Sequence, residues 1–237
     1  MNFLNKSVFS ADAARANARK DDLGSLPEWN LGDLYPGMDA PELKRDMALA
    51  AENAVSFEKR WKGKLLEAAA APHKGKLGKA LSEFEELEEL IGRIASYAGL
   101  VYAGDTSDPR RTKLYGDVQE KMTDASAHLL FFTLELNQIE EDAIEKAFEA
   151  DAGFAHYRPW VVDLRKDKPY QLDDRIEQLF HEKSVTGRGA WNRLFDETMT
   201  GLRFEVDGAE QPLEPTLNML QSADPAERKK AAEALAA

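Results

Sequence analysis

Cysteine is absent from this 237-residue chain. That excludes a disulfide framework, a thiolate nucleophile and a cysteine-ligated zinc site, and it suits a reducing cytoplasm. Histidine is scarce as well, with 4 in the whole sequence. A helical zinc hydrolase needs two histidines four residues apart, with a glutamate beside the first as general base. The nearest approach is His181-Glu182-Lys183-Ser184-Val185, where Val185 stands in place of the second histidine. His73, His128 and His156, like His181, lack a glutamate three residues upstream, so the Glu-x-x-His di-iron pattern is missing too. There is no Gly-x-Ser-x-Gly elbow, and the sequence alone pairs no serine with a histidine.

Positive charge is also in short supply. Lys and Arg number 31 against 43 Asp and Glu, for a formal net charge of -12, and no basic face is concentrated anywhere. Nucleic acid and anionic membrane surfaces are excluded as partners on that ground. Long apolar runs are lacking; Leu129-Leu130-Phe131-Phe132 is far too short to cross a bilayer. Thr186-Gly187-Arg188-Gly189-Ala190-Trp191 has two glycines but neither a Gly-Lys-Ser/Thr triplet nor a preceding strand, so it reads as helix punctuation rather than a phosphate cradle. The sequence accordingly offers no catalytic residue and no metal ligand, and it leaves substrate-binding positions unspecified.

What is present is helical periodicity. A hydrophobic share of 43% can supply a core. From Pro41 to about Lys62 the residues Leu43, Met47, Ala50, Ala54, Phe57 and Trp61 recur at three and four residues, with Asp39 placed to cap the helix. Pro72 to Gly78 reads as a solvated connector. From about Leu77 to Ala103, the residues Leu77, Leu81, Phe84, Leu87, Ile91, Ile94, Ala98 and Val101 form one stripe, and the acidic run Glu83, Glu85, Glu86, Glu88, Glu89 faces away from it. Asp105-Thr106-Ser107-Asp108-Pro109 is a turn and cap, after which Leu114, Val118, Met122, Ala125, Leu129 and Phe132 predict a second long helix to about Asn137. Two such helices make an antiparallel pair.

Shorter helices follow at Glu140 to Glu149, His156 to Leu164, Asp173 to Ser184 and Gly189 to Thr198. Leu202 to Val206 alternates before Asp207-Gly208 and predicts a small β-hairpin over 202–213. Asp224-Pro225 opens a helix still running at Ala237, which makes the chain look cut. The expected fold is mainly α: a helical bundle with a long antiparallel helix pair, shorter stacked helices and one β-hairpin. The expected divisions are a tail over 1–26, a long-helix subdomain over 27–140 and a short-helix segment over 141–237.

Pro27 to Gly37 carries Trp29, Leu31, Leu34 and Tyr35 among turn-forming residues, an irregular loop pinned to a helical body. Its Trp29-Asn30-Leu31 and Asp33-Leu34-Tyr35 resemble the opening signature of the oligoendopeptidase F branch of the thimet-like zinc peptidases. Other stretches follow in the family's order: Tyr97-Ala98 with Leu100-Val101-Tyr102, Tyr157-Arg158-Pro159-Trp160, Lys168-Pro169-Tyr170-Gln171-Leu172, Glu177-Gln178-Leu179, Ala190 to Glu197, and Asp224-Pro225 with Arg228 and Ala231. The resemblance implies a two-lobed helical metallopeptidase whose channel admits short peptides, whose zinc activates water, and whose His-Glu-x-x-His helix lies in a C-terminal catalytic lobe beyond Ala237. It further implies that this segment supplies wall and lid of the channel, binds no zinc itself and is inactive alone. A freestanding helical interaction module is the competing expectation.

Overall fold

A computed structural model describes residues 29–237; the tail expected over 1–26, and Pro27-Glu28, lie outside the described residues. The described chain divides into two units, Leu31–Asn192 and Arg193–Ala237.

In the larger unit, Leu31 to Gly37 forms turns that bring Tyr35 onto the bundle, where it is 3% exposed. Helix α1, Pro41–Trp61, begins with proline at its first position. Asp39 does not cap it. The residue before the helix is Ala40, with no side-chain cap bond, and the Asp39 carboxylate instead accepts from Arg110 Nη2 at 3.0 Å. Leu43, Ala50, Ala54, Phe57 and Trp61 are buried as the periodicity predicts, Met47 is half-buried, and Asp46 joins the buried set. The buried Asp46 carboxylate accepts from Tyr35 Oη at 3.1 Å and from Arg45 Nη2 at 2.9 Å, with Arg93 Nη2 3.9 Å away. A buried carboxylate is tolerable only with such company.

After Gly63, whose φ of 75° turns the chain, α2 spans Leu65–Ala70 and a 3-10 turn spans Pro72–Lys74. Helix α3 then runs over Lys76–Gly104, 29 residues and roughly 43 Å at 1.5 Å per residue. All eight residues of the predicted stripe are buried. The connector expected over Pro72 to Gly78 is therefore shorter than the sequence suggests: Gly78 lies inside α3 and is buried. Its amide donates to Asp151 Oδ2 at 3.0 Å, and a Cβ there would sit 2.6 Å from the backbone nitrogen of Phe154. The residue that reads as a breaker is a contact point between two backbones.

Helix α4, Pro109–Ala127, is capped by Asp108, which accepts from Arg110 N at 2.7 Å. The expected continuation to Asn137 is interrupted. His128 N and Leu129 N bond back three residues, to Ala125 O and Ser126 O, and a separate α5 runs over Leu130–Gln138. Adjacent Phe131 and Phe132, both in α5, are both buried, so that helix is covered on more than one side. Phe132 stacks on Phe84 at 4.6 Å and meets Phe57 edge-on at 5.4 Å.

The predicted short helices appear as α6, Glu141–Ala150, α7, Ala152–His156, α8, Arg158–Leu164, and α9, Asp174–Lys183. The segment expected as one helix from His156 to Leu164 is split at Tyr157, with Pro159 in the first turn of α8. Arg165, its side chain only 8% exposed, donates to Leu136 O at 3.0 Å and Ile139 O at 2.9 Å. It thereby satisfies carbonyls left open at the end of α5. A π-type turn at Val185–Gly189, with Gly187 outside helical angles, separates α9 from α10, Ala190–Gly201. This agrees with punctuation by glycine.

The smaller unit contains the hairpin β1, Arg203–Val206, and β2, Ala209–Pro212, in register Arg203↔Pro212 and Val206↔Ala209. Asp207 and Gly208 both take positive φ, 53° and 78°, the conformation that a two-residue turn needs to match strand twist. Helix α11, Leu213–Met219, has no counterpart among the sequence expectations; α12, Pro225–Ala236, starts where Asp224 caps Ala226 N at 2.9 Å. Buried Val206, Thr216 and Ala231 form the small packing centre of hairpin and helices.

Two outcomes are expected. Gly78→Ala should cost about 1–3 kcal/mol, because the intruding methyl meets backbone rather than a movable side chain; the shift of the urea midpoint measures it. Burial, aided by the Asp46 hydrogen bond and charge, raises the Tyr35 hydroxyl from 10.0 to about 12. Its stabilising contribution is then complete below pH 10 and lost as pH rises toward 12. The alkaline fall of the unfolding midpoint should lose that component in Tyr35→Phe.

Candidate functional site

No site residue is announced by the sequence, so the candidates are the polar constellations that the fold assembles. His181, in the last turn of α9, brings Nε2 to 2.9 Å from Ser126 Oγ and 3.3 Å from the Thr123 carbonyl on α4. Glu88 on α3 is near enough for a charge on His181 to lower its carboxyl, although desolvation prevails and holds it above its ordinary value. Serine and histidine thus meet from two helices, with Glu88 of a third within electrostatic reach, a grouping that no sequence spacing announces.

The hydrogen bonds show what this trio does. Ser126 Oγ donates to Thr123 O within its own helix at 3.1 Å. A carbonyl can only accept, so the His181 Nε2 facing Thr123 O carries the proton and donates. An imidazole donating from that nitrogen cannot take the serine proton, which a nucleophile and base pair requires. The contact fastens α9 to α4.

His128 is occupied similarly. Its Nδ1 is 2.6 Å from Glu58 Oε2, and Lys62 Nζ is 2.6 Å from Glu58 Oε1. Burial works to raise the Glu58 carboxyl, but the bonds from Lys62 and His128 together outweigh it and hold it below its usual value. His156 meets Tyr157 edge-on at 4.9 Å, and His73 stands exposed in a 3-10 turn. The four histidines are spread over four places. Among the described residues no group of three His, Cys, Asp or Glu could hold a metal ion, so these residues do not fit a zinc centre and no hydrolytic step is derived from them.

Two surface cavities are also present. One, of about 410 Å³ between α1 and α4, is lined by Met47, Ala48, Ala51 and Val55 together with Lys44, Lys121 and His128. The other, of about 490 Å³, lies between the end of α5 and the start of α9 and is lined by Asn137, Lys168, Asp174 and Arg175 among others. Neither presents a nucleophile with a base.

The most unusual surface is apolar. Helix α9 has no buried residue, while Ile176, Leu179 and Phe180 are all exposed. Leu172 and Tyr170, just before it, are exposed too. No described helix is long and apolar enough to cross a membrane.

Fold and site define a mainly helical protein with capped helices and an internal aromatic core. Comparison with known proteins finds a family model, a relative and a solved structure that resemble it. A family model described as Oligopeptidase F matches residues 135–204. Oligopeptidase PepF of Bacillus subtilis (strain 168) is 23% identical over 181 residues, taking in 76% of this chain and 26% of that protein. The crystal structure of oligoendopeptidase-F from Enterococcus faecium shares the fold with a TM-score of 0.69 at 18% identity, over 82% of this chain and 37% of that one. The chain is similar to the oligopeptidase F family, by that model over residues 135–204, and to part of each of these two relatives. It spans only a minor part of the length of either relative.

His181→Ala should loosen α9 without unfolding the bundle. Amides of residues 176–183 are expected to exchange roughly fivefold to tenfold faster, the effect of losing about 1 kcal/mol of hydrogen bonding, as read by hydrogen–deuterium exchange.

Proposed function

We propose that this chain is the non-catalytic N-terminal lobe of a zinc-dependent oligoendopeptidase that hydrolyses short peptides, and that it forms the wall and lid of the substrate channel. The observation that carries this reading is the agreement of family, relative and fold on one region of one kind of peptidase. The absence of a three-donor cluster among the described residues is in keeping with a lobe that leaves the chemistry to another part of the protein.

In the complete enzyme a bound zinc would polarise the scissile carbonyl and activate water. The work of this lobe is mechanical. The rigid pair α3 and α4, locked by stacking of Tyr102 on Tyr115 at 4.6 Å, offers a stiff wall. A wall restricts which peptides reach the reacting centre without supplying a reacting group. Its partners on this reading are short peptides and the C-terminal catalytic lobe, with zinc held there.

The purified 237-residue chain is expected to hydrolyse no quenched-fluorescent peptide, with or without added zinc. Together with the polypeptide bearing the His-Glu-x-x-His helix it should support cleavage of short peptides and spare folded proteins. Chelator-sensitive hydrolysis by the chain alone would overturn the reading.

A further inference from the structure

A buried amide without a partner stands near the end of α5. Asn137 is 5% exposed, and its Oδ1, fully covered, accepts no hydrogen bond. Such a group forfeits its hydration and gains nothing in return. Its neighbours are treated differently. The carbonyl of Leu134 accepts from Gln171 Nε2 at 3.4 Å, and those of Leu136 and Ile139 accept from Arg165 at 3.0 and 2.9 Å. Donors from distant segments thus reach the backbone on both sides of Asn137, while its own side-chain oxygen is passed over.

Asn137 also belongs to the wall of the cavity of about 490 Å³ between α5 and α9, a volume within the roughly 300–1,000 Å³ of small-molecule sites. The charged part of that wall comes from two further segments: Lys168 from the 3-10 segment Arg165–Tyr170, and Asp173, Asp174 and Arg175 from the cap and first turn of α9. Two cations and two carboxylates therefore share one cavity. Asp173 caps the helix by accepting from Arg175 N at 3.0 Å, and Lys168 Nζ lies 3.5 Å from Ile139 O. Among the described residues none of the four side chains is in an ion pair. A plain anion would be opposed here by the aspartates and a plain cation by lysine and arginine; a molecule that bears both charges meets a partner for each. The asparagine amide adds an acceptor and two donors, the complement of a peptide group.

We infer that this cavity is a binding site for a free dipeptide in its zwitterionic form. Asn137 pairs with the peptide group, Lys168 and Arg175 hold the terminal carboxylate, and Asp174 holds the terminal ammonium. A dipeptide is the smallest molecule that carries both charged ends and a peptide group. A free amino acid lacks the last, and a longer peptide sets its ends further apart by about 3.3–3.6 Å for each extended residue. The inference is independent of the proposed function: cleavage of peptides by the complete enzyme neither supports nor opposes it.

The test is titration of the full chain with alanyl-alanine, followed by heteronuclear NMR of the Asn137 side-chain amide and the Arg175 backbone amide. Both signals are expected to shift saturably below roughly 10 mM dipeptide. N-acetyl-alanyl-alanine and alanyl-alanine amide, each lacking one charge, should bind about tenfold or more weakly, as should free alanine, which offers no peptide group. Asn137→Leu should weaken binding about tenfold or more while leaving the thermal midpoint unchanged or higher, because an apolar side chain of similar size removes the unpaired group; an asparagine with a purely structural role would lower the midpoint. Asp174→Asn and Arg175→Gln, both at exposed positions, make the same test without touching the interior, and each should weaken alanyl-alanine about tenfold. The absence of a saturable shift, equal binding of the capped dipeptides or of free alanine, or binding that survives Asn137→Leu overturns the inference, and the Asn137 amide is then met by an ordered water only.

Discussion

Burial of one face of α3 is the constraint on which the larger unit depends. The helix is 29 residues long, and most of the stability of a helix in a folded protein comes from packing its apolar face rather than from propensity. Its stripe meets α1, α4 and α7 in turn, so each neighbour takes its position from the same row of side chains. Phe84 lies in the N-terminal half of that row. It stacks on Phe132, leans on Phe57 and lies 5.9 Å from Trp160, which brings α1, α5 and α8 to one point. Aromatic contacts of this kind add about 0.5–1.5 kcal/mol each beyond area burial, and here they also set direction.

Around that core the polar groups act as fasteners. Tyr35 with Asp46 pins the entering loop, Asp151 joins the first turn of α3 to α7, and Arg165 closes the end of α5. Each is a buried or half-buried group satisfied from a distant part of the chain, as the cost of an unpaired polar atom requires. His181 belongs to the same set. Its contacts with Ser126 Oγ and the Thr123 carbonyl join α9 to α4.

On the proposed reading, stiffness is what the pair α3 and α4 contributes, through the stacking of Tyr102 on Tyr115 and the buried stripe that both helices share.

How much of this was legible in the residues follows from the range of each interaction. Periodicity and capping chemistry located α1, all eight buried positions of α3, the caps at Asp108 and Asp224, and the Asp207-Gly208 turn. These are local matters of helix pitch, side-chain oxygen and glycine geometry. The lack of metal-binding spacing was equally plain, because helical ligands are set four residues apart. What only the tertiary structure decided depends on residues far apart in sequence: that Gly78 sits inside a helix against Gly153, that Phe132 stacks on Phe84, that Asp39 pairs with Arg110, and that His181 finds Ser126. Local patterns state which faces are apolar; the direction each face points is settled by packing and by distant hydrogen bonds that no local pattern contains.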